Sequence, residues 1–209
     1  GDPFPDFIDP ALTTGIEVVG SIQTPNLEKI AALNPDLIIG TQLVVAPLQD
    51  ELDTIAPTVA THYAFYVSNW RDDVLLAADA GGVLDQVRAK LSEFDARVET
   101  LHAELTADGD GPTLSRVDVF SGSLVYYRYA CSAFGEVLLS VGIRQPEAQA
   151  GDCTDNDYTS VLQYPSLEQV DVFDADVIVA YQHQAGSTDV GANPLDVIST
   201  SPLWGNLAA

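Results

Sequence analysis

Short apolar runs alternate with amphipathic stretches in two parts of the chain, residues 16–82 and residues 113–209. Examples of the apolar runs are residues 37–40 in the first part and residues 177–181 in the second. Runs of this length between turn residues are typical of strands inside a parallel sheet, and the amphipathic stretches are typical of the helices that cover it. The pattern therefore predicts an α/β fold in both parts.

Between these two parts, apolar residues recur at intervals of three or four positions. They are Val83, Val87, Leu91, Phe94, Val98, Leu101 and Leu105. This spacing predicts a single helix with one apolar stripe over residues 83–107, and the glycines and proline of residues 108–112 end it. A helix of about 23 residues is roughly 35 Å long, which exceeds what a crossover between adjacent strands needs.

The chain also contains an internal repeat. Residues 25–42 align without a gap with residues 165–182, and six of these eighteen positions are identical. Each copy predicts a helix with an N-cap, Asn26 in the first and Ser166 in the second, followed by a turn and a fully buried strand. The repeat therefore indicates one similar lobe on each side of the long helix.

Two matching lobes joined by a single long α-helix imply a cleft. We predict an N-terminal lobe over residues 1–82 and a C-terminal lobe over residues 108–209, each Rossmann-like with a parallel sheet. Ligands of open parallel sheets bind beyond the carboxyl ends of the strands. We therefore expect the ligand in a cleft between the lobes, in contact with residues that follow the strands.

The chain is strongly acidic. Its 31 acidic residues stand against 8 basic residues, which gives a formal net charge of −23. Such a field repels phosphate backbones and anionic lipid head groups, so nucleic acid is not an expected partner. A solubilising or salt-adapted surface is the preferred interpretation. The alternative is that the charge attracts a cationic ligand or a basic partner protein.

The two cysteines of the chain, Cys131 and Cys153, lie 22 positions apart. One disulfide between them is the preferred interpretation, and it would stabilise the fold by roughly 3 kcal/mol. Two free thiols are the alternative. The histidines His62, His102 and His183 are scattered, and neither cysteine belongs to a Cys-x-x-Cys pair, so we predict neither a metal site nor a bound cofactor.

Several short motifs taken together resemble one family. They include Val19-Gly20-Ser21, Pro35-Asp36-Leu37-Ile38-Ile39, Ser132-Ala133-Phe134-Gly135-Glu136 and Ser201-Pro202-Leu203-Trp204. Over residues 16–209 the chain is similar to the iron-siderophore, haem and cobalamin class of periplasmic binding proteins of ABC importers. That family normally has a further βα unit before this region and a strand and a helix after it, and we expect both to be missing here.

The resemblance implies a function. We expect a monomer, periplasmic or lipid-anchored on the outer face of the cytoplasmic membrane, that captures a ferric siderophore or related iron chelate and delivers it to ABC permease subunits. Haem and cobalamin are the alternative ligands. An α/β enzyme that uses the cleft for chemistry is the rival class, and the sequence lacks Gly-x-Ser-x-Gly, Walker and Gly-x-Gly-x-x-Gly motifs that would favour it.

In this family, one glutamate on each lobe docks against arginines of the permease. Glu28 and Glu168 occupy matching positions of the repeat, so the resemblance assigns permease docking to them. Charges at the rim of an interface govern orientation and association rate. The alternative is that a glutamate in the first turn of a helix needs no partner beyond the helix dipole.

Polar and aromatic residues that follow predicted strands are the candidate ligand contacts. They are Thr41, Gln42, Tyr63, Tyr66, Trp70, Tyr127, Arg128 and Tyr181. Aromatic faces with a few fixed polar groups suit a flat chelate, and Arg128 stands out because the chain contains so few basic residues. In the alternative interpretation, the tyrosines cap the core with solvated hydroxyls and Trp70 anchors its own helix.

Overall fold

The computed structural model describes residues 8–21, 24–62, 70–120, 123–151, 161–182 and 196–207. The chain divides into two compact units. Unit 1 comprises residues 1–63 and 76–83, and unit 2 comprises residues 64–75 and 84–209. The lobe boundaries inferred from the sequence stay a prediction.

Helices and strands alternate along the described residues. The helices are α1 (Pro10–Thr13), α2 (Leu27–Ala32), α3 (Gln42–Val45), α4 (Gln49–Asp53), α5 (Trp70–Ala80), α6 (Leu84–Leu105), α7 (Ala133–Ser140) and α8 (Asp196–Ser199). The strands are β1 (Ile38–Thr41), β2 (Thr58–Thr61), β3 (Leu114–Phe120), β4 (Ser123–Tyr127), β5 (Leu162–Gln163) and β6 (Val177–Gln182). Short 3-10 helices span Ala46–Leu48, Tyr129–Cys131, Glu147–Gln149, Val170–Phe173 and Trp204–Asn206. Across the described ranges, none of the helices combines the length and the apolar character that crossing a membrane requires.

Unit 1 is built around a parallel pair of strands. β1 and β2 lie in register, with Thr41 opposite Thr61 at their carboxyl ends. Before β1, α2 begins after Asn26 because the side-chain oxygen of Asn26 accepts a hydrogen bond from the backbone N–H of Lys29, 2.9 Å away. This N-cap is the one that the first copy of the repeat predicts.

Unit 2 contains a four-stranded sheet in the order β5–β4–β3–β6. β3 and β6 are parallel, whereas β4 runs antiparallel to both β3 and β5. The α/β class is thus confirmed, but this sheet is mixed where the sequence predicted a parallel one. The reason is connection length: only two residues separate β3 from β4, and parallel neighbours need a crossover of a dozen or more.

One face of this mixed sheet packs on the core of unit 2. Successive side chains of a strand point to opposite faces, so Val117 and Val119 of β3 share the core face. The cluster of buried residues on this face is Val117, Val119, Leu124, Tyr126, Val170 and Phe173. By the same alternation, Arg116 and Asp118 point to the opposite face.

The long apolar stripe forms one helix, α6, which spans Leu84–Leu105. Its stripe residues from Val87 to Leu101 are half-buried, Leu105 is exposed, and none is buried. Within unit 2, Phe94 of α6 meets the ring of Trp70 edge-on at 5.6 Å, and Arg71 stacks on both rings while pairing with Asp95. The role of this helix in joining two lobes stays a prediction.

The second copy of the repeat differs from the first in its helix. Residues 167–168 form a turn, and a 3-10 helix follows at Val170–Phe173. Ser166 is therefore not an N-cap: its backbone N–H donates to the side chain of Gln169, whose own N–H donates to the Ser166 carbonyl. The strand of this copy is present as β6, but Val179 is exposed rather than buried, because only one face of the strand packs on the core.

Candidate ligand-binding site

An arginine side chain surrounded by aromatic rings lies on one face of the unit 2 sheet, the face directed away from the core. β3 contributes Arg116 and Asp118 to this face, and β6 contributes Tyr181, which lies opposite Asp118 in the strand register. Tyr127 comes from the end of β4, and Phe134 from the first turn of α7. We call these five residues the Arg116 cluster.

The two charged members of the Arg116 cluster form a bidentate ion pair. Nε of Arg116 donates to Oδ1 of Asp118 at 2.7 Å, and Nη2 donates to Oδ2 at 2.9 Å. The side chain of Asp118 is 1% exposed and that of Arg116 is 23% exposed. A carboxylate buried to this degree needs a charged partner, because it has lost its hydration. The pair therefore fixes the plane of the guanidinium.

Three aromatic rings surround this guanidinium. Its central carbon lies 5.2 Å from the ring centre of Tyr127, 5.0 Å from that of Phe134 and 5.3 Å from that of Tyr181. These distances are within the range of cation–π attraction. Phe134 is 43% exposed and Tyr181 is 50% exposed, so the cluster also faces solvent.

The Arg116 cluster offers both apolar surface and a hydrogen-bond donor. Nε and Nη2 of Arg116 are engaged by Asp118, and within the described part of the chain Nη1 has no hydrogen-bond partner. A ligand that places an oxygen acceptor at Nη1 and a flat group against the rings would satisfy both features. The chemistry of the cluster thus suits an oxygen-rich ligand with planar parts.

Two tyrosines of this region, Tyr126 on the core face and Tyr129 beside Phe134, are buried. Burial raises the pKa of the Tyr129 phenol well above its usual range, and the Arg116 cation offsets only part of this effect. Burial also raises the pKa of Tyr126, against the opposing influence of Arg128. Without a bound metal ion, both phenols therefore stay protonated near neutral pH.

Comparison with known proteins decides the family. A family model described as periplasmic binding protein matches residues 9–209. The chain belongs to the periplasmic binding protein family. The match confirms the family that the sequence motifs resemble. The members of this family are substrate-binding proteins of transporters.

Two curated relatives carry names that describe their ligands. The probable siderophore-binding lipoprotein YfiY of Bacillus subtilis (strain 168) is 32% identical over 209 residues, which are 100% of this chain and 63% of YfiY. The ferric-anguibactin-binding protein FatB of Vibrio anguillarum is 36% identical over 102 residues, 46% of this chain and 31% of FatB. The chain thus spans less than two thirds of the length of either relative.

Solved structures share the fold. The crystal structure of Staphylococcus aureus SirA complexed with staphyloferrin B has a TM-score of 0.77 at 25% identity, over 99% of this chain and 70% of SirA. BauB bound to two acinetobactin molecules and ferric iron has a TM-score of 0.69 at 25% identity, over 99% of this chain and 70% of BauB. Both likenesses support the α/β fold of this periplasmic binding protein.

The structure brings together two of the predicted ligand contacts, Tyr127 and Tyr181, in the Arg116 cluster. Arg128 lies elsewhere: its guanidinium packs so closely on Gly151 that a Cβ at position 151 would be 2.7 Å from its Cζ. Trp70 packs on Phe94, which agrees with an anchoring role. A ligand contact by Arg128 or Trp70 stays a prediction.

The other predicted contacts lie in unit 1 or outside the described residues. Thr41 ends β1 in unit 1, and its buried hydroxyl has no hydrogen-bond partner among the described residues. Gln42 begins α3 and is exposed. Tyr63 and Tyr66 lie outside the described residues. Ligand contacts at these four positions stay predictions.

The predicted docking residues are both exposed. Glu28 lies in the first turn of α2, and Glu168 lies in the turn before the 3-10 helix Val170–Phe173. Cys131 is buried, and no cysteine in the described ranges is free, but Cys153 lies outside those ranges, so the disulfide stays a prediction. The described residues also contain no group of three or more residues arranged to hold a metal ion.

Sequence reasoning missed Arg116, Asp118 and Phe134. A signal for the first two was present, because residues two apart in a strand share a face and Ser-Arg-Val-Asp-Val alternates from position 115 to position 119. An arginine and an aspartate at such spacing indicate an ion pair on one face. No comparable signal marked Phe134, which reaches the cluster from a different element.

Proposed function

We propose that this protein is the extracytoplasmic substrate-binding component of an ABC importer and that it captures a ferric siderophore. Family membership supports the proposal, together with relatives and structural neighbours whose names describe siderophore binding. The protein acts in the periplasm or as a lipoprotein on the outer face of the cytoplasmic membrane. It binds and releases its ligand unchanged, so stoichiometric capture rather than turnover is expected.

The Arg116 cluster is the observation that carries the proposal. Ferric siderophores present oxygen donors around the metal, and many contain planar rings or carboxylates. Nη1 of Arg116 is placed to donate to such an oxygen, while the rings of Tyr127, Phe134 and Tyr181 offer surface for the planar parts. We assign these four side chains to ligand contact, and iron enters as cargo rather than as a cofactor.

Fluorescence titration tests this assignment. The panel consists of ferric citrate, ferric staphyloferrin B, ferrioxamine B, haem and cobalamin. We expect saturable quenching at one ligand per protein by at least one ferric chelate. Binding of haem or cobalamin alone would replace the siderophore with the alternative ligands. No quenching by any ligand of the panel, or chemical conversion of a chelate, would contradict the proposed function.

A pair of tyrosine variants tests the site itself. Tyr181→Leu removes a ring of the Arg116 cluster and should weaken binding of the preferred chelate about tenfold or more, since stacking and cation–π contacts are lost. Tyr164→Leu is the matched control, because Tyr164 is 60% exposed and lies outside the cluster. Equal affinities of the two variants would remove the cluster from the ligand site.

We further propose that Glu28 and Glu168 dock the loaded protein against basic residues of the permease. Both carboxylates are exposed, and rim charges of this kind act on orientation and association rate. The double variant Glu28→Lys/Glu168→Lys should abolish uptake of the chelate while its affinity in solution stays unchanged. Glu99→Lys/Glu104→Lys, on the exposed side of α6, is the control for charge alone. Undiminished uptake by the first double variant would end this proposal.

A further inference from the structure

Gln145 clamps the chain at the end of β4. Its Oε1 accepts a hydrogen bond from the backbone N–H of Tyr129 at 2.8 Å, and its Nε2 donates to the carbonyl of Tyr127 at 2.7 Å. One side-chain amide thus holds the backbone on both sides of Arg128. Because the Tyr127 ring projects from this clamped segment, its position over the Arg116 guanidinium depends on the clamp.

A second glutamine, Gln149, extends this hydrogen-bond network from Gln145 to β3. Nε2 of Gln145 also donates to Oε1 of Gln149 at 3.3 Å, and Gln149 is fully buried. Nε2 of Gln149 donates to the hydroxyl of Ser115 at 2.6 Å and to the carbonyl of Val172 at 3.1 Å. Ser115 immediately precedes Arg116, so the same network contacts the backbone of β4 at Tyr127 and the side chain next to Arg116 on β3.

Tyr129 connects the network to the remaining ring. Its hydroxyl donates to the carbonyl of Leu114 at 2.8 Å, and its ring meets Phe134 edge-on at 6.1 Å. The backbone of Tyr129 also lies directly against Gly135 in the first turn of α7, where a side chain would overlap it. The segment that Gln145 clamps therefore supports Phe134 as well as Tyr127.

We propose that Gln145 is a positioning residue for the Arg116 cluster: it sets the spacing between Tyr127, Phe134 and the Arg116 guanidinium that the ligand meets. The inference rests on the proposed function, because the spacing matters only if the cluster contacts a ligand. Satisfied buried polar networks rigidify their surroundings, and displacements of about 1 Å in such a supporting shell suffice to impair a site. Gln145 itself touches no ligand and acts through Tyr127 and, by way of the Tyr129 segment, through Phe134.

Gln145→Glu separates the two ends of the clamp. The carboxylate still accepts the hydrogen bond of the Tyr129 N–H, but it cannot donate to the Tyr127 carbonyl and repels that oxygen instead. We expect affinity for the ferric chelate that the wild type binds most tightly in the panel to fall at least about tenfold. Gln86→Glu, an exposed substitution on α6 with the same change of charge, should bind as the wild type does.

A double-mutant cycle with Tyr127→Leu distinguishes positioning from a general structural role. If Gln145 acts through Tyr127 as well as Phe134, Gln145→Glu reduces affinity less once the Tyr127 ring is gone than it does in the wild type. If Gln145→Glu does not fold, Gln145→Met replaces it in the cycle. Wild-type affinity in Gln145→Glu, or independent losses that multiply in the double variant, would overturn the inference while leaving the proposed function intact. Absence of chelate binding by the wild type would overturn both.

Discussion

Arg116 has two separable tasks, one in stability and one in binding. It neutralises Asp118, which is 1% exposed, and under the proposed function it offers Nη1 to the ligand. Arg116→Met leaves a buried carboxylate without its charged partner, and we expect the free energy of unfolding to fall by about 3 kcal/mol. The companion variant Arg116→Met/Asp118→Leu should regain most of this loss, since replacing a buried pair by apolar residues is often neutral.

Urea unfolding and chelate titration of both variants check this prediction. Neither variant should bind the ferric chelate, even though the double variant is stable. Arg88→Met serves as the control, because Arg88 pairs with Asp85 on the surface and such pairs contribute little. A double variant that binds normally would show that Arg116 matters for folding alone.

Asp176 couples stability to acid pH. One of its carboxylate oxygens accepts hydrogen bonds from the backbone N–H and from the hydroxyl of Thr113, both at 2.8 Å. These bonds, first from the backbone and then from the hydroxyl, lower the pKa of Asp176, and Arg144 adds to the effect. Because the folded pKa lies below the unfolded value, this contribution is present above about pH 4 and disappears as the pH falls further.

Asp176→Asn should therefore be less stable than the wild type at pH 6, and the difference should shrink as the pH is lowered through about 4 to 3. Chemical unfolding at these pH values measures it. Asp171→Asn, which removes an exposed carboxylate from the same segment, is the control for the loss of one negative charge from the acidic surface. A stability difference that stays constant with pH would refute the role of the Asp176 charge.

The sequence predicts the role of a residue well where that role depends on its neighbours along the chain. It predicts the role poorly where tertiary packing determines it. Asn26 caps α2 as its residue type and position predict, because an N-cap depends on three neighbouring residues only. The ends of the predicted strands indicate Tyr127 and Tyr181, which the structure brings to the same guanidinium. The ligand contact predicted for Arg128 stays a prediction, and no local pattern reveals that the Arg128 guanidinium packs on Gly151.

At the scale of elements, α7 is tied to the site by one close approach. An alanine in place of a helical glycine normally stabilises by about 0.5–1 kcal/mol. At Gly135 the added methyl group would overlap the backbone of Tyr129, so we expect Gly135→Ala to destabilise by about 1–3 kcal/mol and to weaken chelate binding through Phe134.

Thermal unfolding of Gly135→Ala and of Gly205→Ala gives a matched comparison. Nothing lies within 4 Å of a Cβ built at Gly205 in the 3-10 helix Trp204–Asn206, so that substitution should leave stability unchanged or slightly raised. If Gly135→Ala were as stable as the wild type, the contact between α7 and Tyr129 would not constrain the helix.

Sequence patterns predict some elements of this fold and not others. The strict three–four spacing predicted α6 to within two residues at either end, since an amphipathic stripe of this length is specific for a helix. The repeat predicted β6 but not the 3-10 helix before it. Ser166 and Gln169 hydrogen-bond to each other and close a tight turn, so an N-capping residue type alone did not establish a helix.

The charge of the whole molecule predicts a dependence on salt. With 31 acidic against 8 basic residues, the folded chain concentrates like charges that salt screens over about 30 Å at 0.01 M and about 3 Å at 1 M. We expect the free energy of unfolding to rise by at least about 1 kcal/mol between these KCl concentrations, or roughly 2–4 °C in Tm.

Calorimetry in KCl, with glycerol at equal osmolality as the control for excluded-solute effects, measures this increase. Unchanged or lower stability in 1 M KCl would contradict the salt-adapted interpretation of the surface. It would then favour the alternative, in which the acidic residues serve a cationic ligand or a basic partner.

A crystal structure of the protein with its preferred ferric chelate would show whether the Arg116 cluster is the ligand site. We expect a chelate oxygen within hydrogen-bond distance of Nη1 of Arg116, with planar parts of the ligand against Tyr127, Phe134 and Tyr181. A chelate bound without any contact to these four side chains would contradict this expectation.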